Sequence, residues 1–416
     1  MAENIWKKCL EYVAISDIGL RRSNNQDSHS EMLAGDQRVW NQRGHIFVVA
    51  DGMGGHAAGE LASKMAADII PVAYQKKTMT PPAYAAVEAV QEANVQIFTK
   101  GNADDNLRGM GTTCDVLVIL PEGAMFAHVG DSRAYRLRGN KLEQMTADHS
   151  LVWELEAEGI STEHFAQKNV ITRCLGKATE LKVDVEGPWP YMPGDTFLLC
   201  SDGLSGQFPD DSEMGAILAV LPLPEATQAL VDLANLRGGP DNITATTVKV
   251  LGPQQLSNTV SAARETILAQ DPVPAWIWAA LGVLSITFLL MLALVFKGTA
   301  YFLLTALLAL LSAGGVTGII LYLLQRKAPS AFEGKRYGHA PYRSYAVGFT
   351  AEFTQKLVDM YAELRESAEE QSPNSSWKRV DGLKSAADKA IQARNYEEAI
   401  RNVLRALSAI WKELRG

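Results

Sequence analysis

Short apolar runs alternate with helical periodicity over residues 1–250, and this pattern sets the segment apart as one domain. Runs rich in β-branched and aromatic residues predict strands at His45–Ala50, Thr112–Leu120, Met125–Val129, Thr196–Cys200 and Ile243–Val250. Apolar residues at every third or fourth position predict helices after Gly59, over Ala83–Phe98 and over Glu225–Leu236. Because some strands follow one another directly and others are separated by helices, the pattern favours the α+β class.

The pattern changes abruptly after a polar linker at residues 251–273. Two stretches without charged residues, 275–296 and 300–324, occupy most of the segment 274–325 and are separated by Lys297–Thr299. A helix over the first stretch is about 33 Å long, which matches the hydrocarbon thickness of a bilayer. The segment therefore predicts a hairpin of two transmembrane helices, and a pair of buried core helices is the alternative.

Basic residues after the second apolar stretch predict the orientation of this hairpin. The segment 326–347 is a basic juxtamembrane segment with Arg326, Lys327, Lys335, Arg336 and Arg343. Positive residues next to membrane spans favour the cytoplasmic side. The sequence thus predicts a multi-pass protein of the inner or plasma membrane that contacts lipid, with residues 1–250 and the C-terminal tail both cytoplasmic.

Helical periodicity returns in the tail, residues 348–416. An apolar stripe is formed by Phe353, Leu357, Met360, Tyr361 and Leu364. Residues 384–394 and 396–414 then predict a plain helical hairpin or a coiled coil. A single tetratricopeptide-like unit is the alternative, although such repeats generally need about three copies for stability. A protein partner of this helical tail is also expected.

Composition excludes some functions. The net charge of −8 argues against nucleic-acid binding, which requires clustered Lys and Arg. The four cysteines, Cys9, Cys114, Cys174 and Cys200, form no Cys-x-x-Cys pair and are predicted to be free thiols in a reducing compartment. The N-terminal residues lack the apolar run of a cleaved secretory signal.

Candidate chemistry lies at the ends of the predicted strands. Asp51 and Asp202 each follow a strand and precede a glycine, Asp131 follows the strand that ends at Val129, and Asp241 precedes the strand that begins at Ile243. A single Asp-Gly pair is usually only a turn. Four acids at strand ends are instead typical of a site for Mg²⁺ or Mn²⁺, because hard divalent ions prefer carboxylate, carbonyl and water ligands.

Two competing motifs are less consistent with the sequence. Gly52-x-Gly54-x-x-Ala57 follows a strand, as in a dinucleotide-binding fingerprint, but Asp51 would then face the pyrophosphate and no second Rossmann half is evident. No cysteine is followed by an arginine at the spacing of a thiolate phosphatase loop, so covalent cysteine chemistry is not indicated.

The ordered motifs resemble the metal-dependent (PPM, type 2C) Ser/Thr protein phosphatases in the form common in bacteria, over roughly residues 10–250. In chain order they are Arg22-Ser23-Asn24-Asn25-Gln26-Asp27, Asp51-Gly52-Met53-Gly54-Gly55, Gly111-Thr112-Thr113, Gly130-Asp131-Ser132-Arg133, Asp148-His149-Ser150, Ile171-Thr172-Arg173, Ser201-Asp202-Gly203-Leu204 and Asp241-Asn242. The resemblance implies a β-sandwich flanked by helices on both outer faces (α-β-β-α).

It also implies two or three Mn²⁺ or Mg²⁺ ions and a role for each matching residue. Asp51 would bridge two ions, with Asp202 and Asp241 on one ion and the Gly52 carbonyl on the other. Asp131, with Asp202, matches a third metal position, Asp27 lies near the second ion, and Arg22 matches the residue that binds the substrate phosphate. Such a dinuclear centre activates a water for attack on phosphorus and neutralises phosphoryl charge, while Arg22 supplies paired donors.

Two departures from the family pattern affect these expectations. Gln26 replaces a Glu, so Asp27 acts directly or through water. Met53 stands where animal relatives have a His that is credited with protonating the leaving group, and His56 and water are the candidates that remain. Residues 151–169 match a flap that shapes substrate choice, and Arg133 is expected to organise its own loop.

The sequence therefore predicts a membrane-anchored phosphatase that hydrolyses phosphoserine and phosphothreonine on proteins, with Ser/Thr kinases or their targets as substrates. The alternative is a weak or inactive phosphatase-fold scaffold that acts through its helical tail.

Overall fold

The computed structural model describes residues 9–54, 57–162, 170–251, 287, 312, 336–371 and 377–415. The described residues before and after the segment 261–333 belong to one compact unit. The N-terminal domain and the C-terminal tail are therefore described together below.

Two antiparallel sheets form the centre of this unit. The first sheet has the order β1-β11-β10-β7-β8-β12, and the second has the order β2-β3-β5-β6-β9 with β4 paired to β3. The strands are β1 Leu10–Asp17, β2 Asp27–Met32, β3 His45–Met53, β4 Gly111–Thr112, β5 Cys114–Leu120, β6 Gly123–Val129, β7 Arg133–Arg138, β8 Lys141–Gln144, β9 Asp184–Trp189, β10 Thr196–Cys200, β11 Ile243–Val250 and β12 Arg343–Ala346.

Helices cover the outer faces of the two sheets. The helices are α1 Gln37–Arg43, α2 Ala57–Lys76, α3 Pro82–Ala103, α4 Leu151–Ala157, α5 Asp202–Ser205, α6 Ser212–Val220, α7 Leu223–Leu236, α8 Ala351–Gln371, α9 Lys378–Gln392 and α10 Tyr396–Arg415. Helices α2 and α3 lie over the second sheet, and α6 and α7 lie over the first.

The apolar strands explain this layering. In β10, Phe197 and Leu199 face the second sheet, while Leu198 and Cys200 face the helices. The Phe126 and Phe197 rings, from opposite sheets, are 6.0 Å apart between centroids. A strand covered on both faces must be apolar at successive positions, which accounts for the unbroken apolar run in β10. The predicted α+β class with helices outside a β-sandwich is confirmed.

The C-terminal segment packs against the first sheet and its helices. Strand β12 pairs with β8, with Tyr345 opposite Leu142, within the segment predicted to be juxtamembrane. Arg343 from that segment lies 4.1 Å from the Trp153 ring centre and donates to Glu156. Arg343 of the basic cluster therefore takes part in packing and ion pairing within the unit.

Helix α10 buries its apolar face against helices α6 and α7. Ile400, Val403, Leu404, Leu407 and Ile410 are at most 2% exposed and share one core with α6 and α7. Because this face is already covered, the described tail does not present it to another protein.

The predicted membrane location requires correction. The two apolar stretches at 275–296 and 300–324 lie outside the described residues except for Thr287 and Ser312. Across the described part of the chain, no helix combines the length and the apolar character needed to cross a bilayer. The prediction of a multi-pass membrane protein is wrong on this finding.

Candidate active site

Five aspartates from separate parts of the sequence converge at one end of the sandwich. Asp27 begins β2 and lies directly opposite Asp51 near the end of β3. Asp202 begins α5 after β10, and its negative charge raises the pKa of Asp51. Asp131 lies in the β6–β7 turn and Asp241 lies just before β11. The negative charges of both raise the pKa of Asp51. The strand ends thus bring together all five carboxylates predicted from the sequence.

Two glycines allow the backbone segments at this end to approach closely. A Cβ atom on Gly52 would lie 2.1 Å from the Gly59 carbonyl oxygen in the first turn of α2. A Cβ atom on Gly203 would lie 1.9 Å from the Asn242 carbonyl oxygen. Both contacts are with backbone that cannot move aside, so the Asp-Gly pairs reflect packing as well as turn geometry.

Hydroxyl groups hold the end of β3 in place. Thr113 Oγ1 accepts the Asp51 N–H at 2.9 Å, and Thr112 Oγ1 donates to the Asp51 carbonyl at 2.9 Å. Thr113 Oγ1 is also 2.7 Å from Ser132 Oγ in the Gly130–Arg133 turn. The Gly-Thr-Thr and Gly-Asp-Ser-Arg motifs therefore fix the backbone from which Asp51 projects.

Burial and mutual repulsion raise the pKa values of the clustered carboxyls. Burial raises the pKa of Asp27 to about 7, and Asp202 and Asp241 add to this effect. Burial, with Asp202 and Asp148, raises the pKa of Asp131 to about 7. Burial and the surrounding aspartates also hold the pKa of Asp51 well above its ordinary value. A cation among these groups would stabilise the charged carboxylates and so lower their pKa values.

The oxygen atoms of the cluster fit a hard divalent cation. Asp27 Oδ2 accepts from Ser201 Oγ at 2.7 Å, whereas Asp27 Oδ1 and Asp202 Oδ1 are buried without a hydrogen-bond partner. Among the described residues, no three or more His, Cys, Asp or Glu side chains are arranged to hold a metal ion by themselves. Carbonyl and water ligands would have to complete the coordination, as is usual for Mg²⁺ and Mn²⁺.

Arg22 lies at the rim of the carboxylate cluster. Its Nη2 donates to Asp241 Oδ2 at 2.7 Å, and the two side chains are 46% and 32% exposed. The hydrogen bond to Asp241, with the charges of Asp51 and Asp202, raises the pKa of Arg22 despite some opposing burial. A permanently charged guanidinium is thus held beside the cluster and remains open to solvent.

Asn242 is a buried residue of the site to which sequence reasoning gave no role. Its side chain donates to the carbonyls of Ile18 and Asn24, and its Oδ1 accepts the Gln26 N–H at 2.8 Å. These bonds tie the Arg22–Asp27 segment to the beginning of β11. Its place directly after Asp241 in a matching motif was the available signal.

His149 is a second residue whose role only the structure reveals. The Gly130 N–H donates to His149 Nδ1 at 3.0 Å, and His149 Nε2 lies 3.0 Å from Asp184 Oδ2. Burial lowers the pKa of His149 to about 4, so the neutral ring donates from Nε2. His149 therefore supports the turn that carries Asp131.

The departures from the family pattern have different outcomes. Gln26 is buried, with its side-chain nitrogen 2.7 Å from where a Cβ atom on Gly59 would lie. Met53 ends β3, while Gly55, His56 and residues 163–169 of the predicted flap lie outside the described residues. Arg133 donates to both oxygens of Asp148 and to Tyr135, in agreement with the predicted organising role.

Comparison with known proteins agrees with this geometry. Residues 21–235 match the family model described as Protein phosphatase 2C. Protein phosphatase PhpP of Streptococcus pneumoniae is 37% identical over 249 residues, which cover 58% of this chain and 98% of PhpP. The Serine/threonine phosphatase stp of Listeria monocytogenes is 37% identical over 243 residues, covering 56% of this chain and 93% of that protein.

Solved structures give the same result. The S. agalactiae serine/threonine phosphatase matches with a TM-score of 0.52 and 34% identity, over 58% of this chain and 99% of that one. The catalytic domain of PstP, solved with two manganese ions, matches with a TM-score of 0.50 and 35% identity, over 58% and 99% of the two chains. The chain belongs to the Mn²⁺/Mg²⁺-dependent protein phosphatase 2C family and is a protein Ser/Thr phosphatase.

Proposed function

We propose that this phosphatase hydrolyses phosphoserine and phosphothreonine on proteins with Mn²⁺ or Mg²⁺ ions bound by Asp27, Asp51, Asp131, Asp202 and Asp241, together with the Gly52 carbonyl. The observation that carries the proposal is the buried carboxylate cluster with raised pKa values and two unpartnered oxygens. A cluster of like charges destabilises the folded protein unless protons or cations neutralise it. Bound cations would provide this neutralisation.

Arg22 is the residue that we assign to binding the substrate phosphate. Its guanidinium has several N–H donors, only one of which is used on Asp241, and the side chain is 46% exposed. Paired donation to two phosphate oxygens is the arrangement that arginine favours. Asp241 would hold Arg22 in position while contributing its own carboxylate to the cluster.

The remaining chemistry divides between the bound ions and the chain. Divalent ions, when bound, supply the Lewis acidity that activates water and offsets charge on phosphoryl oxygens. The Thr112, Thr113 and Ser201 side chains fix the carboxylates or their backbone, so little reorganisation is needed during reaction. Met53 has no titratable proton, and we assign protonation of the leaving serine or threonine oxygen to water.

The proposed substrates are phosphorylated proteins, including Ser/Thr kinases or their targets. The exposed Arg22 at the rim suits a phosphate that projects from another protein, because the phosphate reaches the guanidinium donors without opening the core. The PhpP and stp relatives are named as protein and serine/threonine phosphatases, which supports this class of substrate.

The test measures metal binding and activity separately in the full chain. We expect hydrolysis of a phosphothreonine peptide to require Mn²⁺ or Mg²⁺ and to stop after EDTA treatment. Asp202→Asn should lower kcat by about a hundredfold or more and weaken Mn²⁺ binding in isothermal titration calorimetry. Asp68→Asn, an exposed carboxylate on α2, is the matched control and should change neither quantity. Activity that survives exhaustive chelation, or unchanged Mn²⁺ binding in Asp202→Asn, would contradict the proposal.

A further inference from the structure

The C-terminal helix reaches the segment that carries Arg22. Both terminal nitrogens of Arg415, at the end of α10, donate to the Asp17 carboxylate, one of them to Oδ1 at 3.1 Å. The Arg415 guanidinium also lies 5.3 Å from the ring centre of Trp411, which restricts its orientation. Asp17 is the last residue of β1 and Arg415 is 398 positions later in the chain.

Asp17 holds the turn that leads from β1 towards Arg22. Asp17 Oδ1 accepts the Gly19 N–H at 2.8 Å and an Asn235 side-chain N–H at 3.3 Å. Gly19 has a φ of +79°, and a Cβ atom there would lie 2.1 Å from the Asp241 carbonyl oxygen. The next residue, Leu20, donates its N–H to the Gly239 carbonyl at 2.8 Å.

These contacts form a continuous path from the tail to the site. Arg415 binds Asp17, Asp17 holds the Gly19 turn, and the turn lies against the segment that ends in Asp241. Arg22 follows this turn, and its side chain donates a hydrogen bond to the side chain of Asp241. The burial of Asp17 alone would raise its pKa, but donation from Arg415 and Gly19 outweighs it and lowers the pKa.

We propose that Arg415 is a positioning residue for phosphate binding, acting through Asp17 on the segment that carries Arg22. Helix α10 thereby makes the tail part of the phosphatase machinery rather than an appended domain. The inference rests on the proposed role of Arg22. Loss of the Arg415–Asp17 contact should weaken the affinity for phosphate. The carboxylate cluster should stay in place, because it is held by other contacts through Thr113, Ser201 and Asn242.

The same helix provides a matched control. Arg405 donates to Glu225 at 2.7 Å, so a second exposed ion pair holds α10, in this case to α7. Its partner lies at the beginning of α7, whereas Asp17 contacts Asn235 near the end of that helix. Loss of the Arg405 pair therefore weakens the docking of α10 to a similar degree without touching the Gly19 turn.

The experiment compares Arg415→Ala, Arg415→Lys and Arg405→Ala in the full chain. For Arg415→Ala we expect KM for a phosphothreonine peptide and Ki for inorganic phosphate to rise about threefold to fivefold, with kcat within about twofold. Arg415→Lys should recover part of this loss, and Arg405→Ala should leave KM and Ki unchanged. Thermal unfolding of both Ala variants should shift by similar small amounts.

A double-mutant cycle tests the route of the effect. In an Arg22→Ala background, which itself raises KM and Ki, Arg415→Ala should add nothing further, because residues that act through one another are not additive. Unchanged KM and Ki in Arg415→Ala would overturn the inference, as would an equal rise in Arg405→Ala or a full additional effect in the Arg22→Ala background. If Arg22→Ala alone leaves KM and Ki unchanged, the assigned role of Arg22 fails instead.

Discussion

Replacing Asp27 with Asn should stabilise the metal-free protein, and the gain should grow with pH. Asp27 is buried, and its pKa is raised from 3.8 to about 7 by burial and by neighbouring aspartates. In the folded protein this carboxyl keeps its proton at pH values where the unfolded chain has lost it. Its contribution to stability is therefore full below about pH 4 and is lost progressively as pH rises through about 7.

The size of the effect follows from the shift. A change of about three pKa units corresponds to on the order of 4 kcal/mol between the two ends of this pH range. Asn preserves the acceptor for Ser201 and carries no charge to be buried. We expect Asp27→Asn to gain about 2 to 3 kcal/mol more stability at pH 8 than at pH 5, relative to the unsubstituted chain.

Urea unfolding of EDTA-treated protein at the two pH values measures this difference. The comparison between variants cancels other titrating groups, such as His149, whose lowered pKa gives the opposite dependence on pH. Added Mn²⁺ should stabilise the unsubstituted chain more than Asp27→Asn at pH 8. An equal change at both pH values, or a less stable variant at pH 8, would refute the electrostatic reasoning.

Further predictions concern packing and the metal site. Gly203→Ala should destabilise the folded protein by about 2 to 4 kcal/mol in thermal unfolding, because its Cβ would lie 1.9 Å from the Asn242 carbonyl oxygen. Gly382→Ala, at a position with open space in α9, should be neutral or stabilising in the same assay. Leu407→Ala in α10 should cost about 2 to 4 kcal/mol of stability and lower the unfolding midpoint of the phosphatase domain itself, since Leu407 is 2% exposed in the core shared with α7. Separate unfolding transitions of the tail and the domain would contradict this. Gln26→Glu should tighten Mn²⁺ binding in calorimetry if this side chain faces the second ion, and unchanged affinity would show that it does not.

Local sequence patterns predicted the central strands and the chemistry at their ends. Strands β10 and β11 have the predicted bounds, Thr196–Cys200 and Ile243–Val250, because the apolar run of β10 and the β-branched residues of β11 are local patterns that favour a strand. The acids that follow or precede such strands were identifiable for the same reason. Ordered motifs then indicated the phosphatase family, to which the comparisons assign the chain.

The positions of polar and basic segments depend on contacts between distant parts of the chain. Strand β7 contains three arginines, and Arg136 is buried because Glu143 on β8 pairs with it. The basic segment that includes Arg343 was interpreted as a membrane-orientation signal, yet it contributes a strand and packs on Trp153. The role of Asn242 and the contact of Arg415 with Asp17 join residues more than 200 positions apart. Periodicity reports which face of an element is covered, but the partner of a charged side chain is set by distant chain segments that no local pattern encodes.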